Sequence, residues 1–327
     1  MPEYEKRHLN YAEQVDLLRS RGLAIADEGV AVRALKRIGY YRLSAYTYPL
    51  RAQNHGEGSR RSDGFVDGAT FEDAVTLCDF DDRLRSVLLD GLQQLEVGLR
   101  VQIAYELGKL SAFGHLDRQY LDEKRCSERP RPGSADADLG LDAHASWLRR
   151  YQRLQAEAKN EDFVKHFVLN YGARIPIWVA TEFLTFGSVT RLYSLLKDRE
   201  ATRIARHLGV PQRDIVHGWL RSLNALRNDC AHNARIWNRA TIYPPKRLSE
   251  PFSPALLTHL SGGDNTRVYY LAALCAFFLL QIAPDSRWPG QFRTVMRKFS
   301  VVNGMTPENT MGFPEAWDDL DLWKPRT

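Results

Sequence analysis

FDDRLRSVLLDGLQQLEVGLRVQIAYELG, residues 80–108, decides the fold. Leu84, Leu88, Leu92, Leu95, Leu99 and Ile103 recur at three- and four-residue intervals, which lines up one apolar stripe along an α-helix. A helix with such a stripe must bury it against other elements, and the flanking sequence offers more helices. No convincing run of alternating apolar and polar residues signals a strand. Upstream, Asn10 with Glu13 three residues on reads as a capping box for a helix that stops at Gly22. A second helix begins after Asp27 and carries Val30, Ala34, Leu35 and Ile38. Tyr40, Tyr41, Tyr46 and Tyr48 form an aromatic patch closed by Pro49, and residues 51–69 read as a polar loop. Thr70 with Asp73 caps a short helix ahead of the long one.

Downstream, residues 122–142 are rich in Pro, Gly, Ser and Asp and read as an exposed loop or insertion. Helices are expected near 143–158 and 160–171, then one from Pro176 with Trp178, Val179, Phe183 and Leu184 on its face. A turn at Gly187 and Ser188 precedes a helix around 189–197, and Pro211 opens a helix running to about His232. After a Pro-rich stretch, 243–254, the apolar segment 267–283 reads as a core helix. Beyond Pro307 the tail reads mostly as loop, with Trp317 and Trp323 available to pack back. The expectation is an all-α helical bundle in three parts. Residues 1–69 form an N-terminal helical region, 70–245 a helical core, and 246–327 a C-terminal helical extension packing on it.

Composition narrows the function classes. With 327 residues, 44% hydrophobic and 26% charged, the chain can bury a sizeable core and is neither disordered nor fibrous in type. A net charge of +5 is compatible with a polyanionic partner and is no more than a nudge towards one. The four cysteines, at 78, 126, 230 and 275, form no CxxC pair and are irregularly spaced, which points away from a zinc site and a disulfide scaffold. MPEYEKRHLN lacks the apolar segment of a signal peptide, and 268–283 is short of the roughly 20 residues a bilayer span needs. A cytoplasmic protein without metal or cofactor is the expectation.

The chemistry concentrates in residues 211–232. Trp219, Leu220, Leu223 and Leu226 would face the core, while Asn224, Asn228 and His232 follow at four-residue steps, about 40° apart per step. A polar stripe on a helix built for burial faces a cleft, a partner or a ligand. Arg227 lies five residues before His232, about 140° around an ideal helix. The two converge if the arginine reaches round or the helix ends near His232. These residue types suit RNA cleavage without a metal. Histidine exchanges a proton near neutral pH, arginine clamps a phosphate and its developing charge, and asparagine orients either. R-N-x-x-x-H alone also occurs by chance, and a histidine at a helix end is commonly a cap.

RNDCAHNARIWNR (227–239) resembles the closing motif of the Abi family of phage-defence proteins, the AbiD and AbiF-like group. YAEQVDLLRSRGL (11–23), LKRIGYYRLSAYTYPLR (35–51), the stretch 80–108, PIWVATEFLTFGSVTRLYSLL (176–196) and WLRSLNALRNDCAH (219–232) match that family's pattern in order. The likeness covers roughly residues 10–240 and says least about 122–142 and the region past 250. The resemblance implies membership of the HEPN superfamily, whose active members are metal-independent ribonucleases with R-x4-6-H. It implies catalytic roles for Arg227 and His232, with Asn228 beside them and Asn224 in support. HEPN sites are composite, so a single motif copy implies a homodimer.

Glu96 and Arg100 also match the family pattern. Their four-residue spacing makes an intrahelical ion pair the plain reading, and a place in the same cleft the other. Asp79 and Arg83 share that spacing. Arg235 and Arg239 are candidate phosphate contacts, and Tyr40, Tyr41 and Arg42 a candidate base-stacking patch that otherwise reads as aromatic core. The leading expectation is an endoribonuclease acting on RNA. The alternatives are an RNA-binding module without cleavage, and a toxin-like protein acting by sequestration under an antitoxin or small RNA.

Overall fold

The computed structural model describes residues 7–53, 61–130, 132–247 and 253–324. Helices α1 (Tyr11–Ser20), α2 (Glu28–Ile38) and α3 (Tyr40–Thr47) lead into a two-stranded antiparallel hairpin, β1 (Arg51–Gln53) and β2 (Arg61–Phe65). Then come α4 (Phe71–Gly108), the single turns α5 (Glu123–Cys126) and α6 (Ala135–Asp138), α7 (Ala143–Glu157), α8 (Asp162–Tyr171) and the single turn α9 (Ile177–Ala180). Helices α10 (Phe186–Leu195), α11 (Asp198–His207), α12 (Arg213–Ala231), α13 (Val268–Ile282), α14 (Trp288–Met296) and the short α15 (Pro307–Met311) complete the chain. The all-α expectation holds.

Helix α4 is the spine. Its 38 residues run unbroken from the Thr70–Asp73 capping box, so the two helices expected here are one. Phe71, Ala74 and Leu77 carry the buried stripe back to the cap, and no proline interrupts it. Helices α3, α9, α10, α11, α12, α13 and α14 all pack against α4. Two glycines admit the C-terminal helices. A Cβ on Gly91 would lie 2.3 Å from Trp288 of α14, and one on Gly98 2.3 Å from Ile282 of α13. The Trp288 indole also donates to the Val87 carbonyl at 2.6 Å. Helix α13 is buried nearly all round, and Trp317 and Trp323 pack back beside Phe292 and Phe313.

Local signals at the other helices fare unevenly. The Asn10–Glu13 capping box and the Asp27 cap form as read. The hairpin was not anticipated, because RAQ and RSDGF show no alternation. Arg61, donating to the Pro49 and Arg51 carbonyls, and the bond from Phe65 N–H to the Arg21 carbonyl hold it in place. Pro176 starts only the single turn α9, and Trp178 stays half exposed. Gly187 and Ser188 lie inside the first turn of α10, because the Thr185 side chain accepts from Ser188 N–H as its cap. Helix α11 escaped the sequence reading: its buried face of Ala201, Ile204 and Ala205 is small and weakly hydrophobic. Segment 122–142 carries the two turns α5 and α6, with Cys126 buried.

Candidate functional site

Helix α12 buries Trp219, Leu220, Leu223, Leu226 and Cys230, as its apolar spacing requires. Burial pushes the Cys230 thiol up to about 12, so it stays protonated and inert within the motif. The helix ends at Ala231 and His232 is its C-cap, its N–H donating to Asn228 and Cys230 carbonyls. Asn233 then takes a left-handed φ of 55° and Ala234 N–H returns to the Asp229 carbonyl at 2.9 Å, closing the terminus. His232 therefore sits at the exposed tip of the helix. Among the described residues no side chain hydrogen-bonds its ring.

Arg227 turns to α4. Its Nε lies 3.5 Å from Glu96 Oε2, while Arg100 Nη2 donates to Glu96 Oε1 at 2.5 Å and to the Leu184 carbonyl at 2.6 Å. Glu96 is only 4% exposed, so one buried carboxylate holds two partly exposed guanidiniums. The intrahelical pair of Glu96 and Arg100 forms as its spacing suggests, and Glu96 also faces the motif arginine. Among the described residues the terminal nitrogens of Arg227 make no hydrogen bond. Its Nη groups remain available for a forked contact with an anion. Neither a hydrogen bond nor an ion pair joins Arg227 to His232 among the described residues.

Asn224 and Asn228 face a different neighbour. They line an open groove of about 530 Å³ between α10 and α12, together with Arg191, His217, Arg221 and Tyr243. Gly187 of α10 faces Asn224 closely, and a Cβ there would come within 3.3 Å of Asn224 Nδ2. Burial, aided by Arg221 and Arg191, pushes His217 down to about 4, so its imidazole is neutral at physiological pH.

The remaining candidates are mostly occupied. Arg235, expected at phosphates, is half-buried and donates to the Ala45 carbonyl at 2.6 Å; desolvation lowers its pKa. Arg239 lies 3.5 Å from Asp229, and Arg42 donates to the Asn233 carbonyl at 2.7 Å while facing Asp82. These three arginines tie the segment after the motif to α3, α4 and α12. Tyr40 accepts a hydrogen bond from Arg21, whereas Tyr41 is 91% exposed on the same helix.

Sequence reasoning missed Asp81. This fully buried carboxylate accepts from Trp237 N–H at 2.7 Å, Ile236 N–H at 3.2 Å, Tyr46 Oη at 2.7 Å and Arg85 Nη1 at 2.6 Å. It pins the chain just past His232 onto α4. The available signal was a charged pair at i,i+4 inside the apolar stripe. Asp79 and Arg83, which share that spacing, do not pair: Asp79 holds Arg37 at 2.9 Å and Arg83 is exposed.

Among the described residues no group of three or more His, Cys, Asp or Glu side chains is placed to hold a metal ion. The four cysteines are free and buried. No helix among the described residues is long and apolar enough to cross a membrane. A family model described as Abi-like protein matches residues 33–238, well over half of the chain. No curated protein and no solved structure matches.

Proposed function

The chain belongs to the Abi-like protein family, and from that premise we propose that it is an endoribonuclease of the HEPN superfamily acting in abortive infection against phage. The observation that carries the reading is the tip of α12. Arg227 is held by a buried carboxylate, and among the described residues its Nη groups make no hydrogen bond and no side chain hydrogen-bonds the ring of the exposed His232 that caps the same helix. No metal is assigned to the reaction.

Arg227 grips the scissile phosphate through its terminal nitrogens and offsets the charge that grows on the phosphoryl oxygens. The ribose 2′-OH attacks the adjacent phosphorus, its proton passing to an imidazole, and the P–O5′ bond breaks as the leaving oxygen takes a proton. The products are a 2′,3′-cyclic phosphate and a 5′-hydroxyl. On the composite-site reading, His232 of one copy takes the 2′-OH proton and His232 of the other gives one to the leaving oxygen. The homodimer with a composite site is part of this reading because the resemblance implies it: HEPN sites are composite and the chain has a single motif copy.

The test is incubation of the purified chain with end-labelled RNA in EDTA, beside His232→Ala. Cleavage that survives EDTA, leaves cyclic phosphate ends and is lost in the variant is expected. Products ending in 3′-hydroxyl groups refute the mechanism. RNA binding without cleavage by the unaltered chain refutes the enzyme and favours a binding module. A monomeric mass for the active species removes the dimer.

A further inference from the structure

The polar stripe on α12 is longer than the motif. His217, Arg221, Asn224 and Asn228 all line the α10–α12 groove, and their spacings of four, three and four residues continue to His232. Fifteen residues separate its ends, a rise of about 22 Å along one helix face. Arg191 of α10 lines the opposite side of this groove. It also lines a second groove of about 640 Å³, where Arg149, Arg150 and Arg153 of α7 are found. Arg191 thus borders both grooves, and the polar face of α12 that lines the first continues by sequence spacing to His232 at the end of the helix.

Some arginines of this chain face carboxylates, while others, Arg83, Arg206 and Arg287 among them, have no carboxylate partner among the described residues. Arg118 faces both Glu123 and Asp142, and Arg213 faces Asp198. Arg191 and Arg221 have no carboxylate partner among the described residues, and no Asp or Glu lines the α10–α12 groove. The Arg221 guanidinium instead lies over the Tyr243 ring, 5.8 Å from its centroid. In the second groove Asp136 pairs with Arg149 at 2.8 Å and Glu157 with Arg153 at 3.4 Å, whereas Arg150 donates to Ser188 Oγ at 2.7 Å and Thr185 Oγ1 at 3.2 Å and has no carboxylate partner among the described residues. Unneutralised guanidiniums flanked by amides and a neutral imidazole make a donor-rich track, the complement of a phosphodiester backbone rather than of an acidic or apolar partner.

We propose that single-stranded RNA lies along the α10–α12 groove, with phosphates at Arg221 and Arg191, and delivers its scissile linkage to the His232 tip. The proposal rests on the ribonuclease reading for what happens at that tip, but not for the binding itself. Contacts of this kind hold the backbone and read no bases, so binding is indifferent to sequence along the groove. A single track one helix face wide suits one strand, whereas duplex RNA is gripped across successive minor grooves.

The experiment titrates a fluorescein-labelled 20-nucleotide single-stranded RNA with full-length His232→Ala, read by fluorescence anisotropy over a salt series. Arg191→Gln with Arg221→Gln is added in that background, and Arg287→Gln is the control for a lost charge away from the groove. Removing two phosphate contacts is expected to reduce the log–log salt slope by about 1.4, which referred to 1 M salt is roughly 25-fold weaker binding at 0.1 M. Arg287→Gln should leave the slope unchanged, and thermal melting should show all variants folded. A double variant that binds with the parent's slope and affinity overturns the groove. So does equal affinity for a duplex of the same length. The two readings fail separately: groove-dependent binding with no cleavage by the unaltered chain sinks only the ribonuclease. Undiminished binding and cleavage with Arg191→Gln/Arg221→Gln sinks only the groove.

Discussion

Replacing Asp81 by alanine should destabilise this protein more than any other single change to a carboxylate on α4. The side chain is fully buried and holds four donors. Its loss strands the N–H groups of Ile236 and Trp237, at about 1–2 kcal/mol each. It also removes one partner from Arg85, whose side chain is 5% exposed. Arg85 keeps Asp82, which limits that part of the cost. The sum is about 4 kcal/mol, and at roughly 2 °C per kcal/mol for a chain of this size the melting temperature should fall by about 8 °C. Asp79→Ala is the matched control. It lies two residues away, pairs with Arg37 at 2.9 Å, and both side chains are substantially exposed, so its loss should cost below about 1 kcal/mol. Differential scanning calorimetry on both variants decides the matter. If Asp81→Ala melts within about 2 °C of Asp79→Ala, the buried carboxylate is not the anchor described.

Gly91→Ala forces a Cβ to 2.3 Å from Trp288, and an overpacking cost of about 1–3 kcal/mol is expected in chemical denaturation; unchanged stability would mean that α14 does not seat there. Glu96→Gln leaves Arg100 and Arg227 facing each other without a counter-charge, and because both are partly exposed the cost should be only about 1–3 kcal/mol. Its sharper mark should be on cleavage, with kcat down at least about tenfold and RNA affinity kept. A change confined to KM would exclude a positioning role for Glu96. Burial and the nearby Arg174 push His115 down to about 3, and it packs edge-on against Trp147 and Tyr151. As pH falls from about 6.5 towards 3, the unfolded chain binds a proton that folded His115 refuses. Stability should therefore drop by up to about 1.4 kcal/mol per pH unit across that window and be unaffected above it. His115→Leu should flatten this acid limb, and an equally steep limb in the variant would assign the effect elsewhere.

Much of the architecture is written locally. The capping boxes at Asn10 and Thr70, the apolar stripe of α4 and the burial of α13 are each decided within a turn or two of helix. The same holds for the hexapeptide at 227–232, whose apolar neighbours had to face inward and whose polar ones outward. Where the local signal was weak, the reading failed. Helix α11 has an alanine-rich face, the hairpin is held by arginine contacts to carbonyls rather than by alternation, and Gly187 lies inside α10 rather than in a turn.

Contacts between distant residues were decided by tertiary structure. Nothing in the spacing of Asp79, Asp81, Arg83 and Arg85 distinguishes the pair that pins Ile236 and Trp237 from the one that does not; only the side of α4 that meets the chain past His232 does. Arg227 meets Glu96 across 131 positions of sequence because α12 and α4 pack together, counting 227 less 96. Arg235 is taken from solvent by a carbonyl of α3. Periodicity is a property of one helix and its solvent boundary. Which charged residue finds a partner, and which is left free at the groove, depends on the helix brought against it.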